Sequence, residues 1–272
     1  MTASSDTQQE QRQLRALKCA MSAVDGWLTR AGRPDWAATT PGSPLAGDDK
    51  KADPFHLSHA ASSAIHVAVE HAEALRQLVE GCRTCAPNRF NFGLNSYYSL
   101  LRGALENAAR AIWLLAPESR QERILRRLQS QAENIKNSEK AALAMSTSMS
   151  KPLDVRLDRV KEIAVRAGLD PKLAVKRPDN LEVIHAARKH IGGDEDTERH
   201  TEALWRACSG AAHGDAWAGL SLHDKEVRSR DGHVATLEMT ASTRQFVTIT
   251  SETFVVINSA HNLFDLRNRS PY

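Results

Sequence analysis

Three features of the 272-residue sequence predict an all-α fold. Alanine and leucine dominate its apolar residues while aromatic residues make up only 5%, a balance that favours helices over sandwiches or barrels. Apolar positions recur at the 3-4-3-4 spacing of amphipathic helices through most of the chain. Glycine and proline fall mainly at the ends of those periodic stretches. The expected architecture is a helical bundle of about six to eight helices with one small C-terminal β-hairpin. No repeat at a fixed period is present.

The elements follow in order. Residues 1–9 are polar, lack the apolar core of a signal peptide and are expected to be disordered. Over 10–30, Leu14, Leu17, Met21, Val24 and Leu28 define the apolar side of a first helix, which stops near Gly32 and Pro34. Residues 1–31 therefore form an N-terminal helix or arm. Residues 32–54 hold Pro34, Pro41, Pro44, Pro54, several glycines and the run from Asp48 to Lys51, which reads as a linker or long irregular arm. The first helix then either docks on the main body or reaches a partner.

The main body is residues 55–272. A helix over 55–80 places Leu57, Ala60, Ala64, Val67, Ala68, Leu75 and Leu78 on one face, with His56, His59, His66 and Glu70 opposite. The helix over 94–116 is the most apolar and is stopped by Pro117. It carries Arg102, Glu106 and Arg110 at i, i+4 and i+8, spaced to pair along one side or to line a polar cleft. Residues 118–146 give a more charged helix with Ile124, Leu125, Leu128 and Ile135 inward. Shorter helices follow over 154–167 and from Asp179 or Asn180 to residue 191, where Gly192 closes the second. Thr197 is a candidate cap for a helix running to His213. Alternating runs over 225–229 and 233–239 flank Arg230-Asp231-Gly232, a hairpin signal. A last helix over 243–266 carries Phe246, Ile249, Phe254, Val255, Ile257 and Leu263.

Composition bounds the function. Hydrophobic residues are 41%, charged residues 25% and the formal net charge is +3, short of the basic stripe of a DNA-coating protein. A local patch for a phosphate or an RNA strand remains compatible with that charge. No apolar run is long enough to span a bilayer, so no membrane is expected. Cys19, Cys82, Cys85 and Cys208 are too scattered for a disulfide framework, and reduced thiols in the cytoplasm are the default.

Most chemical motifs are absent or incomplete. The histidines on the second helix lack a second ligand cluster, and Cys82–Cys85 is a lone CxxC without a partner pair, so no metal and no cofactor are expected. There is no phosphate-binding glycine loop and no nucleophile elbow. Ser209 stands four residues before His213 with no sign of an orienting acid or an oxyanion hole. That leaves the stretch from Trp205 to Gly214. Arg206 and His213, seven residues apart, share nearly one side of a helix, pairing a permanent cation with a group that titrates near neutrality. Arg228 and His233 match a similar spacing but flank the hairpin turn. In the bland alternative Arg206 pairs with Glu106, His213 packs, and the glycines serve helix contact.

Arg206, six intervening residues and His213 resemble the Arg-x(4–6)-His signature of the HEPN superfamily, helical-bundle domains found in RNA-cleaving toxins and defence proteins. The segment from Ser209 to Gly214 resembles the Ser-Gly…His-Gly segment of some HEPN-like bacterial families, and Arg102 and Glu106 match an arginine and glutamate on an earlier helix there. Ala207 departs from the polar residue often found after the arginine. The resemblance implies a HEPN-like helical domain over 55–272 acting as a metal-independent endoribonuclease. Arg206 and His213 would be catalytic, Ser209, Glu106 and Arg102 supporting, RNA the substrate and a homodimer the working form. Gly210 and Gly214 would admit a partner helix or an RNA backbone. The alternative is a non-catalytic helical interaction or dimerisation module.

Overall fold

Eleven helices and one hairpin make up the described part of the chain, residues 3–33, 35–81, 90–192 and 194–270 of a computed structural model. The all-α expectation holds, with one two-stranded antiparallel sheet near the C-terminus. The Cys82–Cys85 motif lies outside the described residues. Among these residues no helix is long and apolar enough to cross a membrane.

The long helices follow the predicted periodicity. They are α1 (Ala3–Ala31), α3 (Leu57–Glu80), α4 (Ser96–Leu115), α5 (Arg120–Ala144) and α11 (Thr243–Arg267), with α6 (Leu153–Arg166), α8 (Asn180–Ile191) and α9 (Glu195–His213) between them. The count exceeds six to eight because three short helices, α2 (Pro44–Ala52), α7 (Pro171–Ala174) and α10 (Ala216–Leu222), are too brief to show a period. Helix α1 starts at Ala3, where disorder was expected. On α3 the buried face is rotated from the predicted one: Ile65, Val69, Ala72 and Val79 are buried, while Leu78 is exposed.

Two compact units interleave along the chain. The first comprises residues 1–33, 66–108 and 193–258; the second comprises 34–65, 109–192 and 259–272. In the first, Leu17, Met21 and Val24 of α1 are fully buried, and Trp27 meets Phe254 edge-on at 5.1 Å between ring centroids. Strands β1 (His223–Asp231) and β2 (Val234–Ala241) pair His223 with Ala241 and Asp231 with Val234, with a bulge between Val227 and Ser229. The hairpin is longer than its alternating runs because polar residues fill both solvent-facing strands.

The second unit corrects the linker expectation for residues 32–54. Ser43 caps α2 by accepting from the Ala46 amide at 3.1 Å, with Pro44 at the first helical position. Asp48 is fully buried; Arg123, itself 3% exposed, donates to it through Nε at 2.6 Å and Nη2 at 3.0 Å. Arg120 adds a third bond at 3.0 Å. Asp49 accepts from the Ser58 amide at 2.9 Å and thereby caps α3. Composition suggested irregular chain, yet these carboxylates are anchors: a buried charge is tolerable only when its partner's geometry satisfies it. Below them Ile124, Leu128, Ile135, Val160 and Ile163 form one apolar cluster.

Two outcomes follow. Asp48→Ala leaves the Arg123 guanidinium buried without its counter-charge and should cost about 3–5 kcal/mol in urea denaturation, against about 1 kcal/mol or less for the exposed pair partner Glu162→Ala. His223, 4% exposed, has no hydrogen-bond partner at either ring nitrogen among the described residues. Burial lowers its pKa below the ordinary 6.5, against a smaller opposing pull from Asp224. Its contribution to stability is therefore full above pH 6.5 and lost as pH falls, because the unfolded chain takes the proton first. Thermal unfolding from pH 8 to 5 should show a steeper decline for the wild type than for His223→Leu.

Candidate functional site

The site belongs to the first unit and is built on α4 and α9. Helix α9 begins at Asp194, not Thr197: the Asp194 carboxylate accepts from the Thr197 amide at 2.9 Å. Three acidic residues in the first turn suit the positive end of the helix dipole. The helix ends where Gly214 turns left-handed at φ 76°, sparing a side chain the strain of that backbone. Leu204, Ala207, Cys208 and Ala211 are buried, which leaves Arg206 and His213 on the exposed side.

Helix α4 supplies the opposing groups. Leu101, Ala104, Leu105 and Ala108 are buried along one side, so Arg102 and Glu106 emerge at the edge of the core, half-buried. Arg102 Nε donates to Glu106 Oε1 at 2.8 Å, as their i,i+4 spacing predicts. The Trp205 indole N–H donates to the same oxygen at 2.8 Å. Arg102 Nη1 then stands 3.3 Å from His213 Nε2. A guanidinium has only donors, so His213 Nε2 accepts here through its lone pair. Thus α4 and α9 are joined by a chain running from Trp205 to Glu106, Arg102 and His213.

Arg206 stands elsewhere. It pairs with Glu202 one turn earlier at 2.7 Å and lies over the Trp205 ring at 5.7 Å, with its side chain 55% exposed. The pairing with Glu106 expected in the bland reading is absent: Glu202, one turn earlier on the same helix, holds the Arg206 guanidinium instead. Arginine and histidine do meet, but the arginine at His213 is Arg102 from α4. Ser209 is half-buried and makes no side-chain hydrogen bond among the described residues, which removes any Ser–His couple. Arg110, the third member of the α4 stripe, is exposed.

Gly210 does allow close approach, and the occupant belongs to the same chain. A β-carbon there would fall 2.7 Å from Ala218 Cβ and 2.8 Å from Trp217 Cζ2. Helix α10 takes the space that the sequence left open for a partner helix or an RNA backbone. The Cys208 thiol lies beneath, and burial pushes it up to about 12; Arg102 and Glu106 act on it with opposite signs. It is a packing thiol.

The other sequence candidates stay apart. His66 pairs with Glu70 at 3.3 Å, both more than half exposed, and His56 contacts Asp53 at 3.3 Å. No group of three or more His, Cys, Asp or Glu able to hold a metal occurs among the described residues. Arg228 is an ion-pair partner of Glu226 and Glu238 on the hairpin, away from any helix. Sequence reasoning missed Trp205 as a site residue. A half-buried indole seeks an acceptor, but nothing in the sequence says that the acceptor is Glu106.

Comparison of the chain with protein-family models, curated proteins and solved structures found no match. The site is therefore read from its own geometry. Glu106→Gln should lower stability by about 1 kcal/mol, since the carboxylate is partly exposed. It should also change the Trp205 environment, read as an altered indole N–H resonance. A spectrum unchanged even in Glu106→Ala, which removes the acceptor, would show that Glu106 does not hold the indole in solution.

Proposed function

We propose that this protein is a metal-independent endoribonuclease of the HEPN type, acting as a homodimer in a defence or toxin-like role. The observation that carries the reading is the 3.3 Å approach of Arg102 to His213 Nε2, with Glu106 and Trp205 fixing the guanidinium from behind. A phosphodiester entering this site takes Arg102 Nη1 as a donor, which frees the lone pair on His213 Nε2. That nitrogen then removes the proton from the RNA 2′-hydroxyl. The 2′-oxygen attacks phosphorus, and Arg102 stabilises the charge that builds on the non-bridging oxygens. Arg206, exposed and two turns away, serves a neighbouring phosphate by exchanging Glu202 for it. The nucleophile is carried by the substrate, so the reaction as proposed needs no metal.

The alternative is a non-catalytic helical interaction module. Two observations favour it: the Glu202–Arg206 pair and the filling of the Gly210 space by α10.

One experiment separates them. Wild-type protein with single-stranded RNA in chelator should yield fragments ending in 2′,3′-cyclic phosphate. His213→Ala should slow cleavage by about 10²–10⁴-fold, and Arg102→Ala by a comparable factor with thermal stability nearly kept. Equal cleavage by wild type and His213→Ala, or none by either, overturns the ribonuclease reading and leaves the interaction module.

A further inference from the structure

Cleavage of a ribose–phosphate ester needs two proton transfers, and the Arg102–His213 contact provides for one. Removing the 2′-hydroxyl proton requires a base; the departing 5′-oxygen requires an acid. A second titratable group stands beside the same turn of α4. His71 of α3 packs its ring directly on Gly103, the residue after Arg102, with Nε2 standing where a β-carbon at position 103 would go. Only glycine permits this approach. Positions 103 and 106 are three apart and so neighbour each other on the α4 surface, which puts the ring on the side of α4 that also carries Glu106. His71 Nδ1 is 2.8 Å from the Val67 carbonyl oxygen. A carbonyl only accepts, so Nδ1 carries the hydrogen and Nε2 is left to take or give a proton. Asn107 holds the backbone beneath by donating to the Gly103 carbonyl at 2.9 Å. The ring is half-buried, neither sealed in the core nor free in solvent.

Resting on the ribonuclease reading, we propose that His71 is a second catalytic histidine, the general acid that protonates the leaving 5′-oxygen while His213 acts as base. The balance is complete. The 2′-hydroxyl proton passes to His213 Nε2, the O2′–P bond forms, the P–O5′ bond breaks and the 5′-oxygen takes the proton from His71 Nε2. His213 ends protonated and His71 neutral. Hydrolysis of the cyclic phosphate reverses the two roles: His71 accepts the proton of the attacking water, and His213 returns its own to the 2′-oxygen. The substrate class is RNA with a free 2′-hydroxyl, bound across the turn of α4 that carries Arg102, Gly103 and Glu106.

The test compares two RNA substrates of one sequence, one natural and one with sulfur replacing the bridging 5′-oxygen at the scissile position. A thiolate leaves without a proton, so an acid is needed only for the natural ester. His71→Asn should cleave natural RNA about 10²–10⁴-fold more slowly than wild type and the sulfur-bridged RNA at nearly the wild-type rate. His213→Ala should be slow on both. Gly103→Ala, which keeps His71 but displaces its ring, should reproduce the selective loss and guards against misfolding of His71→Asn. If wild type cleaves and the position 71 and 103 variants are slowed equally on both substrates, or on neither, His71 is not the acid. If wild type cleaves neither substrate, the ribonuclease reading itself falls and this inference with it.

Discussion

One oxygen of Glu106 organises the candidate site. It accepts from Arg102 on its own helix and from the Trp205 indole on α9, so the two helices share an acceptor and cannot slide past each other without breaking a charge-assisted bond. The carboxylate is about one-third exposed, and its value lies in orientation more than stability. With one flank of the guanidinium held, Arg102 presents Nη1 to His213. Because α4 buries Leu101, Ala104, Leu105 and Ala108 on its other side, its polar edge rides on a rigid support. A permanent cation and an imidazole are thereby kept at near hydrogen-bond distance at the protein surface.

The second unit solves a different problem with similar parts. Asp48 and Arg123 are almost wholly withdrawn from water, and both carboxylate oxygens of Asp48 accept from the guanidinium. The same guanidinium also donates to the carbonyls of Pro117 and Glu118 at 2.8 and 2.9 Å, which satisfies the carbonyls left open where α4 has ended. A run of charges that read as part of a linker is thus the point at which α2, the α4–α5 connection and α5 are tied. Arg267 adds to the same corner, donating to the Leu115 and Ala116 carbonyls at 3.0 and 3.1 Å.

Local rules made much of the fold readable. Helix ends follow their caps: Asp179 at the start of α8, Gly192 at its end and Gly214 at the end of α9 behave as their side chains require. Leu57, Leu75, Ile124, Leu128, Ile135, Phe246 and Ile257 are buried or nearly so, as helical spacing predicts. The exceptions share one cause. Arg123 and Arg127 sit inward on α5 because buried acceptors elsewhere in the second unit await them. Helices α2 and α10 escaped notice because seven to nine residues carry too little periodic signal, and their stability comes from what they touch.

The sequence by itself determined that the chain is helical, that a helix runs to His213, and that Arg206 and His213 leave it on nearly one side. Arg102–Glu106 was equally plain, since an i,i+4 pair is a property of one helix. Tertiary structure alone decided which arginine meets His213. That contact spans 111 residues, and Trp205–Glu106 spans 99. Periodicity fixes only the direction a side chain leaves its own helix axis; which neighbour it finds depends on where another axis lies. The same holds for His71 over Gly103 and for α10 filling the space at Gly210, where a missing β-carbon announced a close approach without naming what would approach.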